Sequence, residues 1–114
     1  MRVVVVGPCG SGKSTLVARL QELGYDAHAV AQEHSAVHEL WQHGGTPDAL
    51  IYLDAKPTTI TARRDNEFPG WLYDKQQRRL RSARDHATLF IQTDRLSPSD
   101  VQQRVLDHLR NRSA

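Results

Sequence analysis

Gly7, Gly12, Lys13 and Ser14 stand at the spacing G-x-x-x-x-G-K-[ST] inside "VVVVGPCGSGKSTL", the stretch from Val3 to Leu16. That arrangement suits the capture of a phosphate chain, and it is the pattern of a P-loop. Glycines let the backbone turn so tightly that successive N–H groups face one anion. Lys13 adds a positive charge for β and γ phosphates, Ser14 offers a hydroxyl to Mg²⁺, and a helix opening at Lys13 contributes the positive end of its dipole. Residues 7–15, namely Gly7, Pro8, Cys9, Gly10, Ser11, Gly12, Lys13, Ser14 and Thr15, are therefore expected to hold a nucleoside triphosphate with its Mg²⁺. No guanine-reading N-K-x-D occurs, which favours ATP. Cys9 fills a free position of the pattern and reads as a small tolerated residue rather than a redox centre.

Two other groups of residues carry types that do chemistry. Asp54 follows an apolar run, so it reads either as a carboxylate assisting Mg²⁺ or as the N-cap of the helix that Pro57 opens. His34 and His38 are four apart, and His43 follows, which raises the question of zinc. Glu39 follows His38, but the next histidine comes one residue too late for H-E-x-x-H, and no cysteine lies nearby in the chain, so solvated histidines are expected.

The elements that must position these residues are legible from periodicity. Arg2 to Val6 is a continuous β-branched run, as in a strand buried on both faces of a parallel sheet. Leu16, Leu20 and Leu23 then mark one stripe of a helix beginning at Lys13, and Gly24 is a natural stop. Asp26 to Val30 reads as a short second strand. Glu33 to His43 reads as a helix carrying Val37, Leu40 and Trp41 on one face, with Trp41 in the core. Ala49 to Leu53 is a third strand, Pro57 opens a helix to about Arg64, and "DNEFPGW" has turn chemistry. Leu72 to Ala87 is an arginine-rich helix and Thr88 to Thr93 a fourth strand. Ser97, Pro98 and Asp100 supply the cap, first-turn proline and acidic third position of a last helix, in which Val101, Val105 and Leu109 recur. Strands alternating with helices call for an α/β fold: a parallel sheet of about four strands with helices on both faces, forming a single domain over residues 1–114.

Beyond the P-loop, "PDALIYLDAKPTTITARR" (Pro47 to Arg64) resembles the segment of nucleoside and nucleotide kinases, of the adenylate and thymidylate kinase type, in which a buried strand ends in Asp and arginines lead into a lid. "LFIQTDRLSPSDVQQRVLDHL" resembles the last strand and helix of the same families, whose connecting loop lies against adenine. The resemblance covers about two thirds of the chain and implies the three-layer fold of P-loop NTPases, with strand order 2-1-3-4. It implies ATP with Mg²⁺ as cofactors and transfer or hydrolysis of the γ phosphate, or else nucleotide binding with little turnover, as in a switch or adaptor. By the same resemblance Lys13, Arg63 and Arg64 stabilise transferred charge. Glu33 takes the place of an acidic residue that orients or deprotonates an acceptor hydroxyl, against which stands a plain first-turn acid balancing a helix dipole. Those kinases carry a long acceptor-binding insertion before the third strand, and this chain spends fewer than twenty residues there, so a small-molecule acceptor is left open.

Composition narrows the classes. At 39% hydrophobic and 25% charged, 114 residues suffice for one core. No apolar run is long enough for a bilayer, the leading valines pass straight into glycines without a secretory h-region, and a single cysteine suits a reducing compartment, so a cytoplasmic protein is expected. The formal charge is only +2, yet Arg63 to Arg84 holds seven basic residues against three acidic ones. Such a patch attracts phosphates. Nucleic acid is the weaker expectation, because the aromatic interleaving of a single-strand binder is missing.

Overall fold

The computed structural model describes residues 1–113. Four parallel strands form one sheet: β1 (Arg2–Val6), β2 (Asp26–Ala29), β3 (Ala49–Asp54) and β4 (Leu89–Gln92), in the order β2-β1-β3-β4. The helices are α1 (Lys13–Glu22), α2 (Pro57–Arg64), α3 (Gly70–His86) and α4 (Pro98–Ser113). β1 pairs with β2 from Arg2 opposite Asp26 and with β3 from Val3 opposite Ala49. β3 continues the ladder to β4 from Ile51 opposite Leu89.

The valine run works as a central strand because its alternate side chains serve two cores. Val3 and Val5 pack with Leu16, Leu20, Ile51, Leu53, Val105 and Leu109, which places α1 and α4 on one face. Val4 and Val6 pack with Leu50, Tyr52, Leu80, Ala83 and Trp41, which places α3 on the other. All four valines are fully buried, and each contributes on the order of 1.5–3 kcal/mol by leaving water. A smaller cluster of Ala55, Ile60 and Phe68 seats α2 beside the loop that follows β1. The last helix starts as its sequence requires: the Asp100 amide donates to Ser97 Oγ at 3.1 Å and the Ser97 amide donates to Asp100 Oδ2 at 3.0 Å, a reciprocal capping box.

One expected element is not formed. Residues 33–43 are not a helix; two short 3₁₀ turns, Gln32–His34 and Leu40–Gln42, flank an irregular segment. The buried Gln32 side chain competes for that backbone, donating to Val37 O at 2.6 Å and accepting from the Trp41 amide at 3.0 Å. The apolar stripe is correspondingly broken: Trp41 is buried, stacked on His86 at 5.3 Å, whereas Val37 is exposed. Elsewhere the ends shift by one or two residues. β2 stops at Ala29, β3 extends to Asp54, β4 is confined to Leu89–Gln92, and α3 begins at Gly70. Among the described residues no helix is long and apolar enough to cross a membrane.

Candidate functional site

The loop from Gly7 to Gly12 leaves the carboxyl end of β1, the sheet edge where open α/β folds present ligand sites. Two of its glycines are dictated by space and by backbone sign. A Cβ on Gly7 would lie 2.1 Å from the Leu53 carbonyl oxygen of the neighbouring strand and 2.8 Å from Ser11 Oγ, so only glycine lets the chain pass. Gly12, at φ 104°, stands in the left-handed region as the N-cap of α1 and brings no capping side chain. The first amides of α1 therefore have neither an intrahelical acceptor nor a side-chain cap. The loop closes on itself through the Ser11 amide donating to Pro8 O at 3.2 Å. Ser11 Oγ is buried and, among the described residues, has no hydrogen-bond partner.

Lys13 folds back over this loop. Its Nζ donates to Gly7 O at 2.6 Å and Pro8 O at 3.2 Å, and it forms a close ion pair with Glu33 Oε2. The pair is nearly dry, with side-chain exposures of 12% for Lys13 and 4% for Glu33. Glu33 reaches it because the 3₁₀ turn after β2 turns its side chain inward, toward β1. Its other oxygen, Oε1, is buried without a partner among the described residues. Glu33 is thus brought beside the glycine loop as the counter-ion of Lys13. Ser14 and Thr15 face solvent on the first turn of α1.

Arg63 and Arg64 divide. Arg63 crosses from α2 to brace the loop, donating to Gly10 O at 3.0 Å, Thr93 Oγ1 at 3.1 Å and Thr93 O at 2.7 Å. Thr93, just past β4, donates onward to Asp54 O at 3.0 Å. This ties loop, β3 and β4 together. Arg64 lies against Phe68, its guanidinium carbon 5.9 Å from the ring centre, with its stem beside Gly10. A cleft of about 280 Å³ opens between α1, Arg63 and the start of α4, lined by Ser11, Gly12, Thr15, Leu96, Pro98 and Val101.

Asp54 corrects one expectation. It does not cap α2, whose N-cap is Lys56 without a side-chain bond. The cap-like role passes to Asp94, whose Oδ1 accepts from the Lys56 amide at 2.8 Å and from Thr59 Oγ1 at 2.5 Å. Burial pulls the Asp94 carboxyl up, but bonds from Thr59, Gln92 and the Lys56 amide outweigh it and hold its pKa at about 2. Asp54 instead accepts from Tyr73 Oη at 2.9 Å and 3.1 Å and from the Ala55 amide at 2.9 Å, with Gln77 Nε2 at 3.4 Å. Its burial pushes the carboxyl above the usual carboxylate range against the pull of those donors. Tyr73 is raised in turn by burial and by Asp54.

Three participants give no signal in the sequence. Gln76 is buried on α3, where it accepts from the Cys9 amide at 3.1 Å and donates to Cys9 Sγ at 3.3 Å. Tyr73 and Thr93 are likewise unremarkable by type and spacing, since each meets its partner only through the tertiary fold. Cys9 itself lies 3.2 Å from His34 Nε2, so the cysteine that is far from the histidines along the chain is beside one of them in space. Of the arginines on α3, Arg84 lies over the Phe90 ring at 5.1 Å rather than at the loop. Comparison with known protein families and with curated proteins gave no match.

Proposed function

We propose that this chain is a small P-loop protein of the nucleoside and nucleotide kinase type, which binds ATP with Mg²⁺ at residues 7–15 and transfers or hydrolyses the γ phosphate. The observation that carries the reading is Lys13: its ammonium is held over a glycine loop by two loop carbonyls and one buried carboxylate, beside uncapped amides. Binding exchanges these acceptors for phosphate oxygens, which the first amides of α1 and Ser11 Oγ also serve. Ser14 holds the Mg²⁺, whose charge offsets that of the phosphates. The cleft beside Leu96 and Val101 takes the base against an apolar wall.

A second reading, binding with little turnover, has its own support. Glu33 is buried, its unpartnered Oε1 included, and Asp54 is occupied by Tyr73 and the Ala55 amide, so neither carboxylate is open to an acceptor hydroxyl. Calorimetry with ATP, with and without Mg²⁺, tests the binding shared by both readings. Absence of heat at millimolar nucleotide, or unchanged affinity in Lys13→Ala, refutes them together. ADP release measured with and without nucleosides, sugars and small acids then separates them: acceptor-dependent ADP supports transfer, and binding without ADP supports the switch.

A further inference from the structure

We infer that Cys9, Glu33 and His34 form a binding site for a zinc-class divalent cation at the mouth of the P-loop, an inference independent of the nucleotide reading. The three residues come from two loops, 7–12 and 32–34, that the β1–β2 pairing brings side by side. Their ligand atoms already stand at mutual separations of 3.2 Å (Cys9 Sγ to His34 Nε2), 4.0 Å (Cys9 Sγ to Glu33 Oε2) and 3.9 Å (His34 Nε2 to Glu33 Oε2). Tetrahedral zinc with bonds of about 2.3 Å to sulfur and about 2.0–2.2 Å to nitrogen and oxygen requires separations of roughly 3.4–3.6 Å. Adjustments of about half an ångström in side chains suffice.

A second, independent observation points to a cation there. Glu33 is almost wholly buried, its Oε2 is taken by Lys13, and its Oε1 has no partner among the described residues. A buried carboxylate oxygen without a donor is costly. A metal held through Oε2, the oxygen that faces Cys9 and His34, shares it with Lys13 and supplies the compensation that this carboxylate lacks at Oε1. The donor set is chemically selective. Thiolate and imidazole favour zinc, cobalt and related ions, and they discriminate against Mg²⁺ and Ca²⁺, which require oxygen. Three protein ligands leave the fourth tetrahedral position to water or an anion.

Binding is a substitution without redox change: the Cys9 S–H bond breaks, its proton passes to solvent, and the sulfur lone pair forms the bond to the metal. Gln76 supports the thiolate, since its Nε2 already donates to Cys9 Sγ. His34 enters as the neutral imidazole through Nε2. Its side chain is 59% exposed, so it can turn onto an ion without unpacking the core.

The test uses the untagged chain with Co²⁺ alone, followed by Zn²⁺. One equivalent of Co²⁺ is expected to give a thiolate-to-cobalt charge-transfer band with the visible bands of a tetrahedral site. Zn²⁺ should bleach both, and excess Mg²⁺ should leave them unchanged. Because Cys9 is the sole cysteine, Zn²⁺ should also slow its reaction with a thiol reagent. Cys9→Ser should abolish the charge-transfer band. His34→Ala, at an exposed position that does not threaten folding, should weaken Co²⁺ binding by at least about 100-fold, more than loss of a supporting partner costs. His28→Ala should leave it unchanged, although His28 pairs with Asp26 at 2.6 Å on the surface. A saturated cobalt complex without the thiolate band, or unchanged affinity in His34→Ala, overturns the assignment.

Discussion

The Lys13–Glu33 pair makes an asymmetric prediction. Removing one member of a buried ion pair costs about 3–5 kcal/mol when the other is left without compensation. The two partners here are not equally dependent. Lys13 keeps Gly7 O and Pro8 O if Glu33 is neutralised, whereas Glu33 has only the weak Cys9 thiol, at 4.0 Å, besides the ammonium for its Oε2 and, among the described residues, none for its Oε1. Lys13→Met should therefore fall in the lower part of that range, near 3 kcal/mol because Lys13 retains some solvent contact, while Glu33→Gln should cost about 1 kcal/mol. The double variant should recover part of the Lys13→Met loss, because it removes the stranded charge, and a coupling of about 1–2 kcal/mol is expected. Urea denaturation of the four proteins, followed by circular dichroism at constant m-value, reads these differences. For a domain of this size each kcal/mol also moves the melting temperature by about 3–6 °C. Strictly additive losses, or a Glu33→Gln cost above that of Lys13→Met, would refute the reasoning.

Gly7→Ala places a Cβ 2.1 Å from Leu53 O, about 1 Å inside ordinary carbon–oxygen contact, against the fully buried strand β3. A loss of about 3 kcal/mol or more is expected, and thermal melting within a few degrees of the unaltered chain would contradict it. Asp54 makes a pH prediction whose sign follows from its raised carboxyl. Stability from such a group is fully present below the unfolded value of 3.8 and is lost as pH rises through the higher folded value. Asp54→Asn should therefore gain on the unaltered chain as pH rises from below 3.8 through the raised folded value, and a stability difference that stays flat across that rise counts against the burial argument.

The sheet was legible because its signals are local and redundant. Four consecutive β-branched residues have no solvent-facing position to fill, and Ser97, Pro98 and Asp100 specify a helix start among themselves. The tight glycine loop between β1 and α1 was legible for the same reason, since a pattern spanning eight residues fixes its own backbone. What escaped depends on side chains that act at long range. The stripe Val37, Leu40, Trp41 has helical spacing, but Gln32 diverts the backbone, and a buried glutamine declares nothing in a polar stretch of sequence. Asp54 has the type of a helix cap but stands two residues ahead of the Lys56 N-cap, and Tyr73 and Gln77 arriving from α3 engage it instead. Glu33 was rightly drawn to the sheet's carboxyl edge, yet its partnership with Lys13 rests on a 3₁₀ turn that periodicity does not encode.

The borders of the sheet carry a consequence of their own. Both outer strands, β2 and β4, are only four residues long, and β2 bears Asp26 and His28 along its margin. On β4, exposed Phe90 lies under the Arg84 guanidinium, which keeps a charge over the most apolar point of that margin. Strands this short, one bearing Asp26 and the other shielded by Arg84, offer a poor template for a foreign strand. The molecule is thereby protected from growing sideways into fibrils while its central valines, the stretch most prone to do so, stay enclosed.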